Sequence, residues 1–197
     1  GSVSRHGLMA MGSSLDVIGP IGNTVSDVEI LFEVIKGKDK MDSTSFEMPM
    51  SDLGQNRLSP TSATSAKIKI GVPYHILNQD GISPEVKNNL KESVKKLEDS
   101  GFEIQEIKLP NIDKSLAVYY IVMPAEVSSN MARYDGVKYG LREEGTNLLE
   151  IYKKTRGVGF GKEVRRRIIL GTYVLSSGYY DAYYNKAMLA RKVIRGE

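Results

Sequence analysis

The stretch "KIKIGVP", Lys67–Pro73, places Ile68, Ile70 and Val72 at alternate positions. That period of two is the signature of a strand with one buried face. A second stretch, "FEIQEIKLP", Phe102–Pro110, repeats the alternation. Between them lies a helix with both ends marked. Ser83 is suited to the N-cap, Pro84 to the first helical position and Glu85 to the first turn. Val86, Leu90, Val94 and Leu97 fall on one side, and Gly101 stands where a left-handed C′ residue is needed. Strand, helix and strand of these lengths make a βαβ unit over 67–110. A helical crossover returns the chain in the same direction, so the two strands should be parallel. The expected fold class is α/β, with a mostly helical C-terminal half over 111–197.

Working outward, 1–37 reads as short apolar pieces between turn signals, "MGSS" and "IGPIGN", followed by a helix. Thr24 caps it, Asp27 sits near its positive end, and Val28, Leu31, Phe32 and Ile35 form one stripe until Gly37. Residues 38–66 are rich in Ser, Thr, Asp and Pro and read as a polar loop or linker, mostly mobile. After Pro110 the pattern predicts a helix over 114–135, bent or restarted at Pro124. A loop at "DGVKYGLREEG" follows, then a short helix over 147–155 behind Thr146 and a turn at "GVGFGK". Two more helices come last, about 161–175 and 178–194.

The bulk numbers set limits on function. The chain has 197 residues, a net charge of +3, 41% hydrophobic and 26% charged residues. That is an ordinary globular composition, and the charge is too small to signal a nucleic-acid protein by itself. With no Cys there is no thiol nucleophile, disulfide or thiolate metal site, which fits a reducing compartment. Two histidines leave little for an imidazole metal site. No apolar run approaches the ~20 residues that span a bilayer, so no membrane partner is expected.

Three groups of residues invite chemistry. Tyr119, Met123, Glu126, Asn130 and Arg133 share a sector of about 90° on the 114–135 helix. Ala117, Tyr120, Ile121, Val127 and Met131 occupy the other side. The polar sector is either the wall of a ligand pocket or a solvated face held by local pairs. Arg165, Arg166 and Arg167 are consecutive and point about 100° apart, so they form no flat patch. At least one should turn inward, where a guanidinium suits two-pronged capture of a carboxylate. "SSGYYDAYY", Ser176–Tyr184, stacks Tyr179 on Tyr183 and Tyr180 on Tyr184, as a packing seam or as an aromatic cage. "GVGFG" follows a helix and lacks the Lys-Ser/Thr of a phosphate loop. The doublets Ser13–Ser14, Ser128–Ser129 and Ser176–Ser177 lie in no Gly-x-Ser-x-Gly turn.

"VSRHGLMAMGSSLDVIGPI", "KMDSTS", "IGVP", "SSNMARYDGVKYG" and "KKTRGVGFGKEVRRRIILGTYVLSSGYYDAYYNKA" together resemble the amidase signature family. The last two motifs are similar to those of its tRNA amidotransferase A subunits. The resemblance implies an α/β/α fold and amide hydrolysis by a Ser–cis-Ser–Lys triad expected upstream of Gly1, so no catalytic residue is expected in this chain. It implies release of ammonia from glutamine by the whole subunit, for use on glutamyl- or aspartyl-tRNA. It matches Tyr119 and Arg167 to the family's glutamine-binding tyrosine and arginine. Glu126, Asn130 and Arg133 would then support Arg167 or the helix. The implied partners are the B and C subunits, with aminoacyl-tRNA bound mainly through the partner subunit. ATP and Mg2+ would act there, and this chain would need no cofactor. The implied location is a bacterial-type cytoplasm. The alternatives are another amidase-signature hydrolase, or a non-catalytic helical module that binds a partner or tRNA through Arg165, Arg166, Lys186, Arg191 and Lys192.

Overall fold

A computed structural model describes residues 1–47 and 68–197. The chain divides into two compact units, one of residues 1–46 and 111–197, the other of residues 47–110.

The 47–110 unit holds β1 (Lys69–Val72), α2 (Pro84–Asp99) and β2 (Glu103–Glu106). β1 and β2 pair in parallel, in the register Lys69↔Glu103 to Val72↔Glu106. The alternation expected for β1 is present, with Val72 buried and Ile70 half-buried. The Ser83 hydroxyl accepts from the Val86 N–H, and Pro84 opens the helix. At the other end Gly101 takes φ +94°. Its N–H reaches the Glu98 carbonyl, and the Phe102 N–H reaches Leu97. This is the paired bonding of a Schellman stop, which only a left-handed residue allows at low cost. A short 3₁₀ turn at Tyr74–Asn78 was not foreseen from the sequence.

The other unit begins with an irregular segment, followed by α1 (Val25–Ile35). Thr24 and Asp27 cap α1 reciprocally, each side chain bonded to the other's backbone N–H. None of the stripe predicted on α1 is buried. Of the expected 38–66 loop, residues 48–66 lie outside the described residues. Residues 38–47 are tied down closely, against the expectation of mobility. Asp39 accepts from the Ser4 hydroxyl at 2.6 Å, and Asp42 from the Arg5 N–H at 2.8 Å and the Thr44 hydroxyl at 2.7 Å. A polar sequence is ordered here because its carboxylates satisfy backbone donors from the start of the chain.

The helical half holds α3 (Ser115–Asn130), α4 (Leu148–Gly159), α5 (Lys162–Val174) and α6 (Lys186–Arg195). α3 is the centre and packs on both α5 and α6. It continues through Pro124, which neither ends nor restarts it. The helix gives way to a 3₁₀ turn at Met131–Arg133 instead. Nor does α3 have one wet and one dry side. Val122, Met123, Pro124, Ala125, Val127 and Asn130 are all buried, so neighbours enclose most of its second half, while Leu116, Tyr119 and Tyr120 near its start stay exposed. Met123, Val127 and Met131 form a core with Tyr134, Phe160, Val164 and Ile168 against it. α5 reaches α3 at Gly171, where any Cβ would lie 1.8 Å from the Pro124 carbonyl oxygen.

α4 starts one residue later than expected, because Asn147 and not Thr146 caps it. It also absorbs Gly157–Gly159, leaving only the Phe160–Gly161 step as the turn. The Arg165 guanidinium stabilises that end by donating to the Phe160 carbonyl at 2.7 Å and to Gly157. The tyrosine stretch forms a wide π-type turn, Tyr180–Asn185, before α6. No helix of the described residues is long and apolar enough to cross a membrane.

Candidate functional site

Tyr119 projects from the second turn of α3, and Arg167 from the middle of α5. The packing of these helices brings the side chains together across 48 positions of sequence. Arg167 Nη1 donates to the Tyr119 hydroxyl at 2.8 Å. The guanidinium carbon lies 5.8 Å from the centre of the Tyr119 ring, within cation–π range. Tyr120 meets Tyr119 edge-on, with ring centres 5.4 Å apart.

The sequence pattern did not single out the third member, Glu163. Arg167 Nε donates to Glu163 Oε1 at 2.8 Å, and Arg166 Nε and Nη2 take the two Glu163 oxygens at 2.8 Å each. The signal was available, since Glu163 precedes Arg166 and Arg167 by three and four residues on one helix. Hydrogen bonds from Arg166 and then Arg167 pull the Glu163 carboxyl down to about 2. The Arg167 guanidinium is pushed further up, chiefly by the Tyr119 hydroxyl and then by Glu163. Arg167 is the inward member of the run, its side chain 24% exposed against 60% for Arg166. Its Nη2 makes no hydrogen bond among the described residues. A fixed cation beside a phenol thus keeps Nη2 donors for a ligand, a donor set suited to a carboxylate.

Glu126, Asn130 and Arg133 serve a different neighbour. Glu126 accepts from the Ser14 N–H at 2.9 Å and from the Ser14 hydroxyl. Asn130 Nδ2 donates to the Met11 carbonyl at 3.0 Å and to the Ser13 hydroxyl at 2.8 Å. Arg133 Nη2 donates to Asn130 Oδ1 at 2.8 Å. Arg191 of α6 closes the group, bonding the Ser14 hydroxyl at 2.6 Å and the Ser14 carbonyl at 3.0 Å. These side chains clamp Met11–Ser14 onto α3 and α6. A cavity of about 130 Å3 lies beside them, bordered by Ser13, Glu126, Ser129, Asn130, Leu175 and Tyr184. Burial, the Glu126 carboxylate and Tyr180 push the Tyr184 phenol up. A larger cavity of about 310 Å3 adjoins Arg5, His6, Ser13, Asp16 and Asp42.

The tyrosines neither form a cage nor pack wholly inside. Tyr179, Tyr180 and Tyr183 remain 41% exposed, while Tyr184 is half-buried. Tyr179 lies against Tyr173, ring centres 4.3 Å apart, and the nearby Tyr179 hydroxyl pushes the Tyr173 phenol up to about 12. The basic residues of the nucleic-acid alternative are largely engaged within the chain: Arg165 caps α4, Arg166 pairs with Glu163 and Arg191 holds Ser14.

Asp42 and Glu163 give a test in acid. The Asp42 carboxyl is held at about 2, first by the Arg5 N–H and then by the Thr44 hydroxyl and N–H. Both groups sit below the value of about 4 for an unfolded chain. Between those limits the unfolded state binds more protons, so stability rises with pH. The stability from these carboxylates is complete above about pH 5 and is lost as pH falls toward 2. Melting scans from pH 5 down should show a falling Tm, with a shallower slope in Asp42→Asn and Glu163→Gln. Equal slopes in all three proteins would contradict the assignment.

The Amidase family model matches residues 1–197. The chain is 48% identical over 197 residues to a protein of Desulfatibacillum aliphaticivorans, covering 98% of this chain and 39% of that one. It is 50% identical over 195 residues to one of Moorella thermoacetica, covering 99% and 39%. Both relatives are named as the A subunit of glutamyl-tRNA(Gln) amidotransferase. The chain thus spans about two-fifths of the length of the curated relatives it matches. The crystal structure of the protein of that name from Thermotoga maritima superposes with a TM-score of 0.65 at 39% identity, covering 98% of this chain and 36% of that one. An amidase crystal structure shares the fold alone, with a TM-score of 0.64 at 20% identity, 99% of this chain and 35% of that one. A family match along the whole length makes the chain a member of the amidase family.

Proposed function

We propose that this chain is the glutamine-binding portion of the ammonia-producing A subunit of a tRNA-dependent amidotransferase. One observation carries the reading: the Arg167 guanidinium is held by Glu163 at Nε and by Tyr119 at Nη1, which leaves Nη2, on its Nη1–Nη2 edge, without a hydrogen bond among the described residues. That edge would take the substrate α-carboxylate through two parallel N–H···O bonds. The Tyr119 oxygen already accepts from Arg167, so its own O–H proton is available to the same carboxylate. Binding by this pair orients glutamine without cleaving it.

In this reading the Ser–cis-Ser–Lys groups that attack the amide lie outside these 197 residues. The ammonia passes to a partner that amidates activated glutamyl- or aspartyl-tRNA. The B and C subunits complete the assembly, with ATP, Mg2+ and most of the tRNA contact on the partner. The setting is a bacterial-type cytoplasm. The relatives' names and their identity near one-half support this assignment over another amide hydrolase. The test is ammonia release from glutamine. No release is expected from the 197 residues alone. Release is expected from a version extended at both ends and supplied with its partner subunits. Glutaminase activity in the short chain would overturn the division of labour.

A further inference from the structure

We infer that Glu163 is a positioning residue for glutamine capture: it fixes Arg167 so that only the Nη1–Nη2 edge faces the substrate. The inference rests on the proposed glutamine site. It adds a residue that neither the sequence motifs nor the polar sector of α3 singled out.

An arginine side chain carries several free torsions, and holding its plane costs rotamer entropy. Here two contacts hold it before any ligand arrives. Glu163 Oε1 accepts from Nε at 2.8 Å, and Tyr119 accepts from Nη1 at 2.8 Å. Contacts at two different nitrogens define the plane of the guanidinium as well as its direction. The Nε side is closed by Glu163, so a ligand carboxylate meets the Nη1–Nη2 end. Glu163 is itself held, because Arg166 grips both its oxygens at 2.8 Å. All three side chains project from the first two turns of α5, whose helical geometry sets their spacing. Glu163 also lies in the first turn, where a carboxylate suits the helix dipole. Its carboxyl stays ionised near neutral pH because both arginines lower its proton affinity. The hold on Arg167 is therefore constant across the range in which an enzyme of this kind works.

The experiment is steady-state glutaminase kinetics on the full-length subunit with its partners, for Glu163→Ala, Glu163→Gln and Arg167→Lys. Glu163→Ala releases Nε and should raise glutamine KM about tenfold, with kcat within about twofold, the effect of one lost charge-assisted hydrogen bond on binding alone. Glu163→Gln keeps one acceptor for Nε and should recover most of the loss. A purely structural role would instead lower Tm and kcat together and give no recovery with Gln; that pattern overturns the inference. A KM unchanged in Glu163→Ala but raised in Arg167→Lys overturns the inference while leaving the glutamine site standing. Unchanged KM in both variants removes the site and the inference together.

Discussion

Gly171→Ala is expected to lower Tm by roughly 4–8 °C or more, up to preventing folding outright. The new Cβ would lie 1.8 Å from the Pro124 carbonyl oxygen and 2.4 Å from its carbon, with Ala125 N at 2.9 Å. All three are backbone atoms of the central helix, so no side chain can swing aside. α5 must move away from α3 instead, opening a contact that packs Val122, Pro124 and Val127 at under 2% exposure. Replacing Gly by Ala inside a helix favours the helix by about 1 kcal/mol. Overpacking against a rigid backbone costs roughly 3 kcal/mol or more and outweighs that gain. In a chain of this size each 1 kcal/mol shifts Tm by about 2–4 °C. Gly157→Ala is the matched control, since a Cβ there meets nothing within 4 Å. It should leave Tm unchanged or raise it slightly. Equal Tm values for the two variants would mean that α5 does not approach α3 as closely as described. Thermal unfolding followed by circular dichroism decides.

Arg167→Lys in the full-length subunit is expected to raise glutamine KM by about a hundredfold, with a much smaller change in kcat. An ammonium offers no planar fork, so it loses the two parallel bonds to a carboxylate and the link to Tyr119. Each such bond to a charged group contributes roughly 1.5 kcal/mol or more, and two give about two decades in affinity. Tyr119→Phe removes one hydroxyl and keeps the ring beneath the cation, so a rise of only several-fold in KM is expected. The larger effect of Arg167→Lys than of Tyr119→Phe follows from the number of bonds lost. A glutamine KM unchanged in Arg167→Lys would take Arg167 out of the binding site and leave the proposed function without its main support.

Local signals made the βαβ unit legible. Alternation set the strand faces, and Ser83, Pro84 and Gly101 marked the helix ends through bonds within a few residues. The Thr24 cap of α1 was readable for the same reason. Boundaries failed where a distant element supplied the missing partner. Pro124 does not break α3, in a turn that neighbouring helices bury. Polar residues at 38–47 are ordered because their partners, Ser4 and Arg5, lie more than thirty positions away. Glu126 and Asn130 point as the helical period says, yet what they touch is the 11–14 segment over a hundred positions upstream.

By itself, then, the sequence determined the helices, the parallel pair and the family, since each is written in short-range periodicity, caps or contiguous motifs. Helical spacing also placed Tyr119 on a polar sector and Arg167 in a run of three arginines, and the resemblance matched both to glutamine binding. Only the tertiary structure decided that these two meet at 2.8 Å and that Gly171 must stay bare. Those facts depend on how close α5 comes to α3. That distance is set by packing between residues far apart in the chain, and no local pattern encodes it.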